Sequence, residues 1–318
     1  MTLRLTVDTR AWEHHVAGYV DAVGRLAPSV RLVPVVKGNG YGFGRPELAA
    51  RAAAFADTIA VGTVHELDAV PDGVDVVVLT PTLAPPTGRS PARATVLTVG
   101  APEHVEALAG WSGRVVVKVA SSMQRYGRGA ELADTARQAG LDVIGWSVHP
   151  PLAGDDDTHR AEIERLLTGL DPGLEVWVSH LSADAAARLP DTHRYRLRLG
   201  TALWHGDKSM LHLSADVLDV RHVAPDVTRA GYRLVEVPGR GSIVMIGAGS
   251  AHGVTALPDG RSPFHHARRR LDLLEPPHMH TSMAFVPDGA PVPAIGERVD
   301  VQRPLTMTAV DEVEWSAT

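Results

Sequence analysis

A lysine followed by alternating glycines is the most informative feature of the sequence. The segment VVKGNGYGFG, residues 35–44, places Lys37 directly after an apolar run and a glycine at every second position after it. A lysine at the end of a buried strand has its ammonium form destabilised, and as a neutral amine it can condense with an aldehyde. Glycines allow the backbone to pass close to a ligand, and the Tyr41 hydroxyl can bind an anion. The spacing alone is equally compatible with a surface lysine before a glycine-rich turn.

Histidines after residue 250 form a second set with chemical potential. His252 follows Ser250 in the segment GSAHG, residues 249–253, and an imidazole is a competent acid or base near neutral pH. The alternative is a turn histidine that hydrogen-bonds the backbone. His278 and His280 are two residues apart, which on a strand places both rings on one face, as chelation requires. Because two histidines make only half of a metal site, we expect no metal and keep the pair only as candidates.

The elements that must position these residues follow two different patterns. Short Val-rich runs alternate with helical segments from about residue 30 to about residue 200, which indicates βα units and a parallel sheet. A helix capped by Asp8 or Thr9 precedes them. Eight such runs predict a (β/α)8 barrel of the TIM type, in which catalytic groups lie at the carboxyl ends of the strands. The runs begin at Arg31, Thr58, Val74, Thr95, Arg114, Leu141, Leu174 and Tyr195.

The pattern of apolar and polar residues changes after Gly206. Alternating apolar and polar residues, punctuated by Pro-Asp turns and without helix-length segments, predict a mainly antiparallel β domain. We therefore assign residues 1–210 to the barrel and residues 211–318 to the β domain.

Composition excludes several classes of protein. The 318 residues carry 31 Lys and Arg against 37 Asp and Glu, a net charge of −6, without a basic run, so we expect no nucleic acid and no membrane as partner. The absence of cysteine excludes disulfides and a thiolate nucleophile. No stretch of 18 apolar residues occurs, and the first residues lack the apolar core of a signal peptide, so a cytoplasmic location is expected.

Four segments, in order along the chain, resemble those of alanine racemases and their fold-type III pyridoxal-phosphate relatives. VVKGNGYGFG resembles the family's lysine motif VVKANAYGHG. The others are VKVASSMQRYG from Val117, GWSVHPPLAG from Gly145 and LRLGTALWHG from Leu197. The resemblance implies the same barrel followed by a mainly β domain, with pyridoxal 5'-phosphate as cofactor and a small-molecule amino acid as substrate.

The resemblance also implies roles for individual residues. Lys37 would hold the cofactor and serve as one catalytic base, Arg198 would donate to the pyridine nitrogen, and His149 would lie against the ring. Arg125 would face the phenolate of the cofactor and the substrate carboxylate, and Lys118, or a modified form of it, would hold Arg125 in place.

The cofactor phosphate would be bound by Tyr41 and by the backbone at Gly200 and Thr201. One position departs from the family, because Asp184 stands where a phosphate-binding serine is expected, with Ser182 close by.

A second departure concerns the base on the opposite face of the substrate. In the family this base is a tyrosine in a GYADGY-like turn, which reaches the site of the other subunit of a homodimer. Here GSAHG puts Ser250 at the tyrosine position and His252 at the aspartate, and a serine hydroxyl is too weak a base to act alone. His252 is therefore the expected second base, directly or through Ser250, with the sites completed in trans.

Taken together, these features predict a PLP-dependent isomerase, a racemase or epimerase acting at the α-carbon of an amino acid or an amino-acid-containing substrate. Two alternatives stay open. One is a PLP-dependent lyase or aldolase on a D-amino acid, since the segment from Pro276 to His280 resembles the zinc-binding PxHxC segment of the D-serine dehydratase and D-threonine aldolase branch. The other is a non-catalytic PLP-binding homologue.

Overall fold

The computed structural model describes residues 2–87 and 94–316. By their internal contacts the residues form two compact units. One unit consists of Glu13–Tyr41 and Arg45–Gly206, and the other of Met1–Trp12, Gly42–Gly44 and Asp207–Thr318.

The chain begins with strand β1 (Leu3–Asp8) and helix α1 (Thr9–Leu26). The carboxylate of Asp8 accepts a hydrogen bond from the backbone N–H of Ala11 at 3.0 Å, the cap that the sequence predicted.

Eight parallel strands then form the barrel, in the spatial order β2-β9-β8-β7-β6-β5-β4-β3. The (β/α)8 prediction is confirmed, and each strand begins within one residue of its predicted position. Strands covered on both faces read as continuous apolar runs, which is why Val-rich segments located them. The strands are β2 (Val30–Pro34), β3 (Thr58–Val61), β4 (Asp75–Val78), β5 (Thr95–Val99), β6 (Arg114–Lys118), β7 (Asp142–Ser147), β8 (Glu175–Ser179) and β9 (Tyr195–Leu199).

Helices of uneven length connect the strands. After β3 a 3₁₀ turn, Val64–Ala69, takes the place of a helix. The longest connecting helix, α5, is capped by Asp155, whose side chain accepts from the backbone N–H of Thr158 at 2.9 Å. The helices are α2 (Arg45–Ala53), α3 (Pro102–Glu106), α4 (Glu131–Gln138), α5 (Asp156–Leu167), α6 (Ala183–Ala187) and α7 (Thr201–His205).

The second unit is built on antiparallel strands, as predicted. Its longest strand, β10, pairs with β1, β13 and β18 in antiparallel fashion. Between residues 211 and 316 the only helical elements are two 3₁₀ turns, Ser250–His252 and Leu305–Met307. The strands are β10 (Leu211–His222), β11 (Arg229–Ala230), β12 (Val235–Glu236), β13 (Gly241–Ile246), β14 (Phe264–His266), β15 (Arg269–Arg270), β16 (Asp272–Leu273), β17 (Ser282–Pro287), β18 (Arg298–Val301) and β19 (Glu312–Ser316).

Strand β1 differs from its assignment in the sequence analysis, which placed it with the barrel. It lies in the antiparallel sheet, where it pairs with β10 and runs parallel to β19. Leu3, Leu5 and Val7 alternate with half-buried neighbours, so the strand presents one apolar face to this unit. Its partners lie about 200 residues away or more, a distance over which the sequence pattern gives no pairing information.

Among the described residues, no helix has the length and apolar character needed to cross a lipid bilayer.

Candidate functional site

Five residues singled out by the sequence lie at or just past the carboxyl ends of barrel strands. Arg198 is the penultimate residue of β9 and Lys118 the last residue of β6. Lys37 and His149 follow the ends of β2 and β7, and Arg125 lies in the loop after β6. The charges of Arg125 and Arg198 act on the pKa values of both lysines and of His149. The structure therefore brings these residues together at the edge where barrel enzymes place their catalytic groups.

The buried cation at the centre of this group is Arg198, which is 7% exposed. Its guanidinium donates to Ser147 Oγ at 3.0 Å, to the carbonyl of Val148 at 2.7 Å and to the carbonyl of Val178 at 3.4 Å. None of the described carboxylates forms an ion pair with it. Burial lowers the pKa of Arg198 to about 10, with the charge of Arg125 adding to the effect. The guanidinium thus stays protonated at neutral pH while its charge is balanced only by neutral acceptors.

A hydroxyl links Arg198 to His149. Arg198 donates to Ser179 Oγ at 3.4 Å, and Ser179 Oγ lies within hydrogen-bond distance of His149 Nδ1. Burial lowers the pKa of His149 to about 2, with the charge of Arg198 as the next cause, so the ring is neutral. The Ser179 hydroxyl then donates to Nδ1, which places the ring proton on Nε2. The ring also packs against His180 at 4.6 Å between centroids, which fixes its plane.

The pKa values of both lysines of the site are lowered. Burial lowers the pKa of Lys118 to about 6, with Arg198 and Arg125 contributing, and this side chain is 5% exposed. The pKa of Lys37 is also lowered, first by desolvation and then by Arg125 and Arg198, while Glu66 opposes the shift. Lys37 is nevertheless solvent-accessible. It therefore combines access with a raised fraction of neutral amine, which is what a nucleophile or base at this position needs.

The predicted phosphate-binding residues meet at the start of α7. Tyr41 is buried in the left-handed region, with φ 56° and ψ 23°, and its carbonyl accepts from His205 Nε2 at 2.7 Å. Burial raises its pKa to about 12, so the hydroxyl remains a donor. A Cβ built on Gly200 would lie 2.1 Å from Tyr41 Oη. Only glycine therefore allows the phenol to sit against this backbone, beside Thr201 at the first turn of α7.

The two candidates for a phosphate-binding serine have other partners. Ser182 donates to Asp156 Oδ2 at 2.5 Å and accepts from the backbone N–H of Ala185 at 3.1 Å, so it caps α6. Asp184 is exposed and forms an ion pair with Arg188 at 3.2 Å. Neither residue therefore has its side chain free for a phosphate group.

Three residues of the site were not found from the sequence. Ser147 and Ser179 end β7 and β8 and accept from Arg198, and a search for polar residues at strand ends would have found them. Glu66 lies in the 3₁₀ turn after β3, where its two oxygens accept from the backbone N–H groups of Gly38 and Gly62. No motif marks this glutamate.

The predicted second base lies in the other unit and is tied into it. His252 is buried, its Nδ1 accepts from the backbone N–H of Gly249 at 3.1 Å, and its Nε2 donates to Asp311 at 3.3 Å. The same aspartate accepts from the backbone N–H of Leu3 at 2.8 Å. Both ring nitrogens are thus engaged within the unit. Ser250 is exposed.

The histidine pair at 278 and 280 does not lie on a strand, contrary to the premise of the sequence analysis. The backbone N–H of His278 donates to the carbonyl of Thr281 at 2.9 Å, so the segment turns before β17 begins. His278 Nε2 donates to the buried Glu275 at 2.8 Å, and the His280 ring packs edge-on to His252 at 5.8 Å. The described part of the chain holds no group of three or more His, Asp or Glu side chains that could bind a metal ion.

With this geometry in place, the comparison with known families is decisive. The family model of the alanine racemase N-terminal domain matches residues 7–208. The chain belongs to the alanine racemase family.

Solved alanine racemases share the fold over the whole chain. The Bartonella henselae enzyme, which carries covalently bound pyridoxal phosphate, is 19% identical with a TM-score of 0.70, over 99% of this chain and 100% of that one. The biosynthetic enzyme from Pseudomonas aeruginosa is 21% identical with a TM-score of 0.68, over 99% of both chains. The enzyme from D-cycloserine-producing Streptomyces lavendulae is 18% identical with a TM-score of 0.67, over 100% and 98%. Among curated proteins no sequence matches this chain.

We expect Lys118→Met to stabilise this alanine racemase homologue at pH 7. Between about pH 6 and the ordinary lysine pKa of 10.5 the unfolded chain binds a proton that the folded chain lacks, so wild-type stability rises with pH in this window. Each pH unit corresponds to at most about 1.4 kcal/mol, so we expect a gain of about 2–4 kcal/mol at pH 7 that disappears toward pH 10. Thermal unfolding midpoints at pH 7, 8.5 and 10 measure it, with exposed Lys208→Met as the control. A loss of stability at pH 7 would contradict this prediction.

We expect His252→Ala to destabilise the protein and Ser250→Ala to leave stability nearly unchanged. Truncating the buried imidazole leaves the Gly249 N–H without its acceptor and opens a cavity, which costs about 2–4 kcal/mol. The exposed serine should contribute within about 0.5 kcal/mol. Urea unfolding of the two variants measures the difference. Equal stability of His252→Ala and wild type would show that the imidazole does not stabilise the fold.

Proposed function

We propose that this protein is a pyridoxal-phosphate-dependent isomerase that removes and returns the proton on the α-carbon of an amino acid or an amino-acid-containing small molecule. The family and its fold support racemase-type chemistry with this cofactor in general. The observation that carries the proposal for this chain is an accessible Lys37 of lowered pKa at the same strand-end edge as the buried Arg198.

The residues present fit the cofactor. Arg198 is a buried cation with no described carboxylate beside it, and it can donate to the nitrogen of a pyridine ring. The Tyr41 hydroxyl, set against Gly200, is a donor for a phosphate group. His149 is neutral and packs against the His180 ring, so it can lie against an aromatic ring. Lys37 is the amine that would hold the aldehyde carbon.

When bound, pyridoxal phosphate accepts electron density from the α-carbon as its proton leaves. Arg198 stays protonated and would donate to the ring nitrogen, which would keep that nitrogen unprotonated and limit the electron withdrawal to what reversible proton transfer needs. Lys37, whose pKa is lowered by burial and by the charges of Arg125 and Arg198, takes up the proton at the α-carbon on one face. Arg125, exposed in the loop after β6 and stacked 4.6 Å over the Tyr126 ring, binds the substrate carboxylate.

Inversion needs a second base on the opposite face, for which Ser250 and His252 of a partner subunit remain our candidates. The buried contacts of His252 weigh against a free imidazole, and Ser250 cannot act alone. This observation favours a second candidate function, in which Lys37 is the single base and the enzyme is a lyase or aldolase on a D-amino acid.

A cytoplasmic homodimer with sites completed in trans is part of the proposal. The β unit exposes large apolar side chains on neighbouring loops: Tyr232 is 89% exposed, Met279 67% and Leu234 60%. Tyr232 packs edge-on to His278, which joins the two loops into one surface. Exposed apolar patches of this kind mark contact surfaces between proteins.

We expect the holoprotein to exchange the α-proton of its substrate in deuterated water, and Lys37→Ala to abolish the exchange. A panel of D- and L-amino acids is followed by NMR and chiral chromatography. Borohydride treatment of the holoprotein should fix the cofactor on the Lys37 peptide, which mass spectrometry identifies.

The outcomes of this experiment separate the candidates. Exchange with inversion establishes a racemase or epimerase, whereas exchange with retention, or cleavage of the substrate, indicates a single base. Cofactor fixed on Lys37 without exchange for any amino acid indicates a non-catalytic homologue. Failure to fix the cofactor on Lys37 would overturn the cofactor assignment itself.

We expect Met279→Glu to convert a homodimer into a monomer by placing a charge in the exposed apolar surface. Light scattering gives the molar mass, and Met307→Glu, at another exposed methionine, is the control. A wild-type protein that is monomeric at micromolar concentration would contradict completion in trans.

A further inference from the structure

Among the described strand pairs of the barrel, one is joined by a single bridge, and Lys37 lies next to it. We call this junction of β2 and β3 at Val35 and Ala60 the barrel seam. The other seven neighbouring strand pairs form ladders of two or more residue pairs, with one shift of register between β6 and β7. Strands β2 and β3 meet through the single bridge between Val35 and Ala60, with the Val36 N–H donating to the Ala60 carbonyl at 2.8 Å. The hydrogen-bonded pairing of β2 with β3 therefore ends immediately before Lys37.

Beyond this bridge, the carboxylate of Glu66 connects the two strands. Glu66 Oε1 accepts from the backbone N–H of Gly38 at 3.2 Å, and Glu66 Oε2 accepts from the backbone N–H of Gly62 at 2.7 Å. The two N–H groups belong to opposite sides of the seam, one just after Lys37 and one just after β3. Arg45 donates to the carbonyl of Gly38, so this residue is held at both of its peptide groups.

The carboxylate and the Lys37 side chain flank the same point. A Cβ built on Gly62 would lie 3.1 Å from Glu66 Oε2 and 3.2 Å from the Cβ of Lys37. The charged groups that act on Lys37 are Arg125 from the loop after β6, Arg198 from β9 and Glu66 from the turn after β3. Glu66 is the one anion of the three.

We propose that Glu66 is a positioning residue for Lys37: its two oxygens connect the backbone after Lys37 to the backbone after β3, and its negative charge opposes the positive charges of Arg125 and Arg198. The inference rests on the proposed function, because it assigns Lys37 the role of the reactive amine. A neutral or shorter side chain at position 66 would free the Gly38 backbone or shift the protonation of Lys37.

The chain contains only three lysines, Lys37, Lys118 and Lys208, so their acylation can be followed separately by peptide mass spectrometry. The full-length protein, cleared of pyridoxal phosphate, is treated with a water-soluble acetylating ester between pH 6 and pH 10, with the exposed Lys208 as internal reference. Hydrogen exchange of the peptides that contain Gly38 and Gly62 is measured on the same samples.

Two variants distinguish the effect of the two Glu66 hydrogen bonds from the effect of its charge. Glu66→Gln keeps the size but loses the charge and one of the two acceptors, so we expect up to about tenfold faster acylation of Lys37 relative to Lys208 at pH 7, and faster exchange at one or both glycines. Glu66→Asp keeps the charge but is too short to reach both N–H groups, so exchange rises while the pH midpoint of acylation changes little. Asp68→Asn, an exposed position in the same turn, alters net charge equally and should change neither measurement.

Unchanged exchange at Gly38 and Gly62 together with an unchanged acylation profile in both Glu66 variants would overturn the proposal. If Glu66→Gln does not fold, the exchange data of Glu66→Asp decide. Because the experiment uses neither cofactor nor substrate, its outcome is independent of whether the protein proves to be a racemase, a lyase or a non-catalytic homologue.

Discussion

The guanidinium of Arg198 is buried at the end of β9 without a described carboxylate beside it, and much of the barrel edge is arranged around it. A buried charge is tolerated only when hydrogen bonds replace its hydration. The ends of β7 and β8 supply these bonds through the Ser147 and Ser179 hydroxyls and two carbonyls. The positions of the residues that follow these strand ends, including His149, therefore depend on the hydrogen bonds to Arg198.

The same charge determines the protonation of its neighbours. It lowers the pKa of Lys118 and His149 beyond what their burial does, and it contributes to the lowered pKa of Lys37. The site thus holds a buried cation beside three bases, Lys37, Lys118 and His149, whose pKa values are all lowered. An arrangement of this kind suits an anionic ligand with an acceptor atom that must not be protonated, and it keeps an amine available for proton transfer at neutral pH.

The sequence predicted the barrel and its principal site residues, but not the residues that position them. The eight strands were found because buried parallel strands are apolar throughout, and Lys37, Tyr41 and Arg198 stand in motifs with several fixed positions. Ser147 and Ser179 stand at strand ends, which is a usable signal, but their partner Arg198 lies in another segment. Glu66 lies in a turn that no motif marks, and its partners Gly38 and Gly62 lie elsewhere in the sequence. Strand β1 was misassigned for a similar reason, since its pairing with β10 joins residues about 200 positions apart. The argument that His278 and His280 share one face holds only on a strand, and spacing by two does not by itself make one.

The hydrogen bonding at the barrel edge contrasts with that of the turn that carries Ser250 and His252. In the barrel, neutral acceptors surround a cation and leave an accessible amine at the mouth. In the turn, the imidazole has both nitrogens engaged, and its partner Asp311 also holds the start of β1 through Leu3, so moving the ring would disturb the first strand of the sheet. A proton-transfer group has to exchange its proton with substrate while it changes charge, and a protonated His252 would lose the Gly249 donor to Nδ1. The physical cost of recruiting this histidine therefore falls on the fold of the β unit, whereas Lys37 can change its charge at a solvent-accessible strand end. Chemistry on the Lys37 face is consequently better supported than chemistry on the opposite face, and this asymmetry distinguishes exchange of the α-proton from inversion of the centre.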